Sequence, residues 1–267
     1  MEPQAPGGDT DVFALIARLA DNKYALGRRY AEWCSGAPTL ESGVAAAAMA
    51  QDELGHARAL YPLLRDLAPS GTDPAQIDPD TRTRFVNMAV LDTPFGGWPD
   101  FVAANMLVDT ALSTVFEAAR ASSFEPLAAR SRKVLQEERV HALHGEAWVR
   151  RLARETGAVH DAIEGALRRV WDEALCWFGP AGAPGSLVAD GVLDAAPDTL
   201  RARYLAAVAP TLDGAGLRLP VRRGAKAGSW ELTAALPWDR WNRATYRLEE
   251  AAVGAEPLAR HAGGGAG

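Results

Sequence analysis

The sequence predicts an all-α fold, a bundle of four long helices followed by additional C-terminal helices. Apolar residues recur at steps of three and four over several long segments, as they do on one face of an α-helix. Clusters of Pro, Gly and Ser separate these segments and mark the turns between helices. Outside 216–221, no segment alternates apolar and polar residues as a half-buried strand would.

The first half of the chain contains two long helices. The first is predicted over 11–33, and the small residues and proline of 35–38 end it. The second is predicted over 40–67, after Thr39, and a Pro- and Gly-containing loop follows it. A short helix is predicted at 81–90, before a turn rich in Pro and Gly.

The second half begins with two more long helices, predicted over 100–121 and 127–156. Two serines and a proline separate them. A fifth, amphipathic helix is predicted over 159–178, where a Gly-Pro pair follows. The pattern weakens beyond this point, and further helices are predicted only at 197–208 and 237–253.

These segments predict one ferritin-like helical domain over 11–256. Its core bundle covers 11–156 and a helical extension covers 157–256, while the ends, 1–10 and 257–267, are expected to be disordered. The chain is long enough for one extended domain of this kind.

Composition and charge favour a cytoplasmic protein that binds neither nucleic acid nor membrane. Hydrophobic residues make up 48% and charged residues 23%, as in ordinary globular proteins. The net charge of -6 argues against nucleic acid as the main partner, because phosphate binding needs a basic surface. Cys34 and Cys176 form neither a disulfide framework nor a metal-binding pattern. The N-terminus lacks the features of a signal peptide, and the longest apolar run is too short for a bilayer.

Two Glu-x-x-His motifs are the strongest chemical signal in the sequence. Glu53 and His56 lie on the second helix, and Glu138 and His141 lie on the fourth. Residues three apart share a helix face, so each pair can bind one metal ion while its Glu bridges to another. One such motif is usually a surface pair, but two motifs on different long helices match the arrangement of ferritin-like di-iron bundles.

That arrangement also needs one carboxylate from each of the two other helices. On the third helix, Asp109 lies inside the apolar run 105–112, where a charge is costly unless it is paired or bound to metal. A hydrogen-bonded buried aspartate would explain it alone, but its place in the bundle favours a ligand. On the first helix, the corresponding position is Lys23.

These residues resemble the ferritin-like subunits of bacterial phenylacetyl-CoA epoxidase, a multicomponent ring-epoxidising monooxygenase of phenylacetate catabolism. The resemblance covers about 11–151 well and is vaguer afterwards, although the Gly-rich segment 224–228 and Glu231 also look similar. The segments that carry it are Asp21-Asn22, Glu32-Trp33-Cys34, Ala37-Pro38-Thr39-Leu40-Glu41, Gln51-Asp52-Glu53-Leu54-Gly55-His56-Ala57-Arg58, Leu107-Val108-Asp109 and Glu137-Glu138-Arg139-Val140-His141.

That enzyme pairs a catalytic di-iron subunit with a related, metal-free structural subunit. The opening segments here look like the structural subunit, whereas the two Glu-x-x-His motifs look like the catalytic one. The resemblance implies partner subunits, a reductase, an acyl-CoA substrate and a homo- or hetero-oligomer. It places Lys23 where the family has a first-helix glutamate, and the following residues match the family's iron ligands: Glu53, His56, Asp109, Glu138 and His141.

Lys23 changes the charge of the predicted site. An ammonium among three carboxylates forms a satisfied ionic network and can take the place of a metal ion. We therefore expect a metal-free or single-metal centre rather than a standard di-iron centre. The sequence leaves open whether two, one or no iron ions bind, and whether the chain is a catalytic or a structural subunit. A stand-alone ferritin-like metal-binding or redox protein is the alternative.

Three neighbours of these residues have simpler interpretations. Asp52 and Glu137 each precede a candidate ligand and are expected at the surface or in contact with the ligands. His144 shares the face of His141, and a solvent-facing histidine is the favoured interpretation.

Overall fold

The structure, a computed structural model, describes residues 7–78, 80–182 and 186–249. The predicted tail and most of the predicted disordered N-terminus lie outside this part of the chain. Five long helices dominate the fold: α1 (Gly7–Ala31), α2 (Leu40–Leu67), α3 (Trp98–Ala118), α4 (Glu125–Arg154) and α5 (Ala158–Cys176). The prediction of an all-α bundle is confirmed.

The remaining elements are small, apart from one further helix. They are α6 (Ser186–Ala189), α7 (Pro197–Gly214) and the strands β1 (Val221–Arg223), β2 (Trp230–Leu232), β3 (Trp241–Asn242) and β4 (Arg247–Leu248). The strands form two separate antiparallel hairpins, β1 with β2 and β3 with β4. The Gly-rich segment 224–228 lies in the turn of the first hairpin.

α1 and α2 form an antiparallel pair along most of their length. The apolar face of α1 is buried, as its three- and four-residue spacing predicts. Thr39 caps α2, and its hydroxyl accepts the Ser42 N–H at 3.2 Å. The helices approach closely at Gly27, where an added Cβ would lie 2.9 Å from Leu54 Cγ. This close approach fixes the position of α1 against the first Glu-x-x-His motif.

α3 runs through the centre of the fold and has a π-helical turn, Ala104–Asp109, in its middle. All six residues of that turn are buried. Such turns shift the register of the helix faces and are frequent at functional sites. α3 is long and apolar enough to cross a membrane by composition alone, but 83% of its most apolar window is buried. Burial of this kind is what the core helix of a bundle requires.

The short helix predicted at 81–90 is wrong. The segment lacks regular structure until a 3₁₀ turn begins at its end. Side chains of other helices accept its backbone N–H groups: Asp21 accepts the Val86 N–H at 2.8 Å, and Asn22 accepts the Met88 N–H at 2.9 Å. A glutamate on α5 accepts the next two N–H groups. Because these donors are satisfied from outside, the segment needs no helical hydrogen bonds.

The helix predicted at 237–253 is also wrong within the described residues. A 3₁₀ turn, Trp238–Arg240, leads into the β3–β4 hairpin. The ring of Tyr246 packs edge-to-face against Trp241, and the Arg18 guanidinium lies over the same tyrosine ring, 3.4 Å from its centroid. These tertiary contacts fix an aromatic hairpin in place of a helix.

Replacing Gly27 with alanine is predicted to destabilise the fold by about 1–3 kcal/mol, because the new Cβ would overpack the α1–α2 contact. Gly55→Ala is the matched control on α2. A Cβ at Gly55 would have nothing within 4 Å, so helix propensity should make it neutral or stabilising by roughly 0.5–1 kcal/mol. Urea unfolding of both variants checks this. Equal effects of the two substitutions would contradict the close approach.

Candidate functional site

A buried lysine at the centre of the bundle is surrounded by three carboxylates. Lys23 Nζ donates to Asp109 Oδ1 and Glu138 Oε1 at 2.7 Å each, and it lies 3.0 Å from both carboxylate oxygens of Glu53. The Lys23 side chain has no exposed surface. An ammonium has three hydrogens to donate, so each carboxylate receives one of them.

Each of the four helices α1–α4 contributes one charged residue to this Lys23 cluster. α1 provides the lysine, and α2 and α4 provide the glutamates of the two Glu-x-x-His motifs. Asp109 comes from the last residue of the π-helical turn in α3. Ligand atoms of the three carboxylates and His141 all lie within 4.8 Å of one another. The structure thus brings these residues together as the sequence indicates.

The two motif histidines lie at the edge of the cluster. His141 Nδ1 is 3.2 Å from Asp109 Oδ2 and 3.3 Å from Glu53 Oε1. His56 is farther from the centre of the cluster, with its Nδ1 3.4 Å from Glu138 Oε1. His56 therefore contacts one of the carboxylates, whereas His141 contacts all three, since Glu138 Oε1 is 3.7 Å away.

The outer nitrogen of each histidine meets a half-exposed carboxylate of the other motif. His141 Nε2 lies 3.2 Å from Asp52 Oδ2, and His56 Nε2 lies 2.6 Å from Glu137 Oε2. Each of these carboxylates belongs to the residue directly before a motif glutamate. The cross-contacts orient both imidazoles and link α2 to α4.

Three further polar residues, outside the predicted ligand set, support the site. Ser113 Oγ donates to Glu138 Oε2 at 2.8 Å, one turn of α3 beyond Asp109. Asn105 Nδ2 donates to the His141 carbonyl at 3.1 Å, and its Oδ1 lies 3.0 Å from His144 Nδ1. His144 is half-buried, so the solvent-facing interpretation is wrong. The sequence signal for the α3 residues is their spacing of four from Asp109 within or beside an apolar run.

Burial and mutual contact shift the pKa of every charged member of the cluster. Burial opposes the charge of Lys23, but the three carboxylates hold its pKa well above the ordinary value. Burial and the neighbouring Asp109 raise the pKa of Glu53, and likewise of Glu138, to about 7. Burial also acts on Asp109, yet Lys23 and His141 hold its pKa well below the ordinary value. Burial opposes protonation of His141, but its hydrogen bonds to Asp109 and Glu53 raise its pKa to about 11.

The residue types of the cluster suit a metal ion, but Lys23 occupies the space that the ion would need. Carboxylates and imidazoles on four facing helices are the donor set of di-iron bundles. Here the Nζ of Lys23 lies among the carboxylate oxygens at hydrogen-bonding distance from all three groups. A protonated Lys23 and a metal ion cannot share this position. The cluster as it stands fits a buried ammonium and does not fit a pair of metal ions.

The chain matches the model of the family described as phenylacetic acid catabolic protein over residues 2–250. It belongs to that family. It is similar to two different subunits of the 1,2-phenylacetyl-CoA epoxidase of Escherichia coli K12. It is 28% identical over 215 residues to one of them, a match covering 80% of this chain and 86% of that subunit. It is 28% identical over 192 residues to the other, a match covering 70% of this chain and 62% of that subunit. The resemblance carried by the sequence motifs is therefore confirmed.

Replacing Lys23 with methionine is predicted to destabilise the protein by about 3–5 kcal/mol at pH 8, because three buried carboxylates lose their shared counter-ion. The loss should be smaller near pH 5. The glutamate pKa values, already raised, rise further without Lys23, so the folded state binds more protons than the unfolded state above about pH 4.3. Stability of the variant should therefore fall as the pH increases from 5 to 8.

Lys133→Met is the matched control, since Lys133 is exposed on α4. Its free energy of unfolding should stay within about 0.5 kcal/mol of the wild type at both pH values. Urea unfolding at pH 5 and pH 8 measures both variants. A Lys23→Met deficit that does not depend on pH would contradict the proposed charge coupling.

Proposed function

We propose that this chain is a scaffolding subunit of a multicomponent aromatic acyl-CoA epoxidase of phenylacetate catabolism, and that it is not the subunit that activates oxygen. The observation that carries this proposal is the Lys23 ammonium, which is hydrogen-bonded to all three carboxylates of the cluster. The family membership and the relatives named as epoxidase subunits supply the enzyme class.

Charge explains why a metal pair is disfavoured. A bound metal ion would have to displace the ammonium or force it to lose its proton. Proton loss is opposed because the carboxylates hold the pKa of Lys23 well above its ordinary value. Displacement would leave a cation buried beside other cations, which is costly in a low-dielectric interior. Without the lysine, metal bound here would supply oxygen activation, held by Glu53, Asp109, Glu138 and His141.

A structural role for the cluster follows from the helices it joins. The lysine on α1 contacts carboxylates on α2, α3 and α4, so one ammonium holds four helices in register. A buried polar network whose hydrogen bonds are satisfied rigidifies a core and specifies one arrangement of it. We infer that the ammonium replaces metal in fixing the bundle, so that a rigid surface is available for a partner.

The relatives favour the scaffolding role through the coverage of the two matches. Identity to both epoxidase subunits is the same, 28%, but the longer match covers 86% of its subunit and the shorter one covers 62%. The chain therefore corresponds in length to the first of these subunits better than to the second. We propose a hetero-oligomer in the cytoplasm, in which the acyl-CoA substrate and the electrons from a reductase reach a separate catalytic subunit with an intact first-helix glutamate.

Exposed apolar side chains offer a surface for that partner. Leu40 and Val44 lie one turn apart on α2, and Val140 and Leu143 lie together on α4. These four side chains are between 64% and 81% exposed. α2 and α4 are neighbours that share a surface groove near His144. Exposed large apolar side chains on adjacent helices are typical of an interaction surface.

A stand-alone ferritin-like metal-binding or redox protein is the second candidate. The observation that favours it is the completeness of both Glu-x-x-His motifs, since four ligand-type residues still converge. Association separates the two functions. A scaffold copurifies with a catalytic partner, whereas a stand-alone protein does not.

Iron loading tests the role of Lys23. After anaerobic incubation with ferrous iron and desalting, the wild type is predicted to retain no stoichiometric iron. Lys23→Glu should bind iron, because it restores a fourth carboxylate and removes the ammonium. Metal analysis together with the absorption spectrum of the oxidised protein measures this. Tight stoichiometric iron in the wild type would contradict the scaffolding proposal.

Co-expression with the catalytic epoxidase subunit of the same organism tests the apolar surface. Val140→Glu combined with Leu143→Glu should reduce copurification at least tenfold, because charge is buried at the contact. Val159→Glu is the control, since Val159 is an exposed valine on another helix, α5. Retention of the complex by the double variant, with loss by the control, would place the contact elsewhere.

A further inference from the structure

A second buried cation lies apart from the Lys23 cluster. Arg18 is on α1, five residues before Lys23, and its side chain is buried. Its Nε donates to the Ala14 carbonyl at 3.3 Å, and its guanidinium stacks on the Tyr246 ring. Within residues 7–78, 80–182 and 186–249, no carboxylate oxygen lies within 4 Å of its nitrogens. Asp11 is the nearest acidic influence on its charge, but Asp11 accepts a hydrogen bond from Ser186.

A buried guanidinium without a counter-anion is energetically costly. Stacking on an aromatic ring offsets part of the lost hydration but does not neutralise the charge. Arg82, which lies near the same helix, shows the usual solution, since it pairs with Asp21 of α1 at 2.8 Å. Arg18 therefore lacks a partner of the kind that buried arginines require, and an anion from solution would supply it.

Arg18 and Tyr246 line a cavity of about 80 Å³. It lies between α1, α3, the end of α5 and the segment that leads into α7. The rest of its wall is almost entirely apolar and includes Leu15, Val115, Trp177, Phe178, Leu193 and Leu200. Trp177 is 2% exposed, and its Nε1 has no hydrogen-bond partner in the described part of the chain. An apolar cavity with a few convergent polar groups is the usual form of a small-molecule site.

We propose that this cavity binds a short-chain aliphatic carboxylate, with its carboxylate on the Arg18 guanidinium and its hydrocarbon chain among the apolar side chains. A guanidinium binds a carboxylate through two parallel hydrogen bonds, which suits a single buried arginine. The cavity has about half the volume of the roughly 150 Å³ cavity that accepts benzene, so a four-carbon chain fits better than an aromatic ring. The site is separate from the Lys23 cluster and does not rest on the proposed function.

The β3–β4 hairpin forms one wall of this cavity. Tyr246 has a φ of 55°, a left-handed conformation that a tyrosine adopts only where its surroundings hold it. Its ring is held over Arg18, and the neighbouring Arg247 pairs with Asp92. A carboxylate on Arg18 would therefore join α1 to the hairpin, and its binding should raise the thermal stability of the whole chain.

Butanoate is the probe for the first test. Thermal unfolding and ligand-observed NMR of the full chain should show saturable binding of butanoate, with binding of the neutral butanamide and of phenylacetate at least tenfold weaker. Saturable butanoate binding with this preference supports the proposal. Absence of saturable butanoate binding, or equal binding of butanamide, overturns it.

Two variants locate the site. Arg18→Met removes the cation, and Ala195→Leu fills the cavity while it leaves Arg18 in place. Each should weaken butanoate binding at least tenfold, whereas Arg58→Met, at an exposed arginine of α2, should leave it unchanged. If Arg18→Met does not fold, Ala195→Leu decides the question alone. Wild-type affinity in the variants that fold would overturn the assignment to this cavity.

Discussion

The hydrogen bonds from one ammonium to three carboxylates are the interaction on which the bundle depends. Lys23 comes from α1, and its partners come from α2, α3 and α4. None of these four side chains has appreciable exposure, so each would be costly to bury alone. Together they satisfy one another, and the position of every helix in the four-helix core follows from this contact.

Backbone features bring the charged groups to this point. Gly27 lets α1 approach α2 closely, one turn after Lys23 and opposite Glu53. The π-helical turn of α3 ends at Asp109 and is entirely buried. The outer carboxylates Asp52 and Glu137 then orient the two histidines. The geometry of a metal centre is thus retained, while an ammonium supplies the positive charge. A site of this kind is built for rigidity rather than for redox chemistry.

Periodicity and spacing in the sequence predicted the parts of the site that lie on single helices. The bounds of α2 were predicted as the structure has them, and the i, i+3 spacing placed both motif pairs on inward faces. The spacing between motifs also identified Lys23 as the unusual residue. Contacts between distant segments were not predictable in this way. The cross-contacts of the histidines and the roles of Asn105 and Ser113 depend on how helices pack.

The two wrong helices have the same physical cause. The segment 81–90 has its N–H groups satisfied by Asp21, Asn22 and a glutamate of α5, all far away in sequence. The C-terminal segment is held as a hairpin by aromatic contacts and by Arg18. Local propensity favoured helix in both places, and tertiary contacts decided otherwise.

Protonation of Lys23 tests the central claim most directly. The chain has three lysines, Lys23, Lys133 and Lys226, so protein labelled with ¹⁵N-lysine gives a simple ammonium spectrum. We predict one slowly exchanging ammonium signal that persists above pH 10 and does not change when ferrous iron is added, while the two exposed lysines exchange rapidly. A Lys23 signal that is lost below pH 10, or that disappears when iron is added, would contradict the claim that this ammonium takes the place of a metal ion.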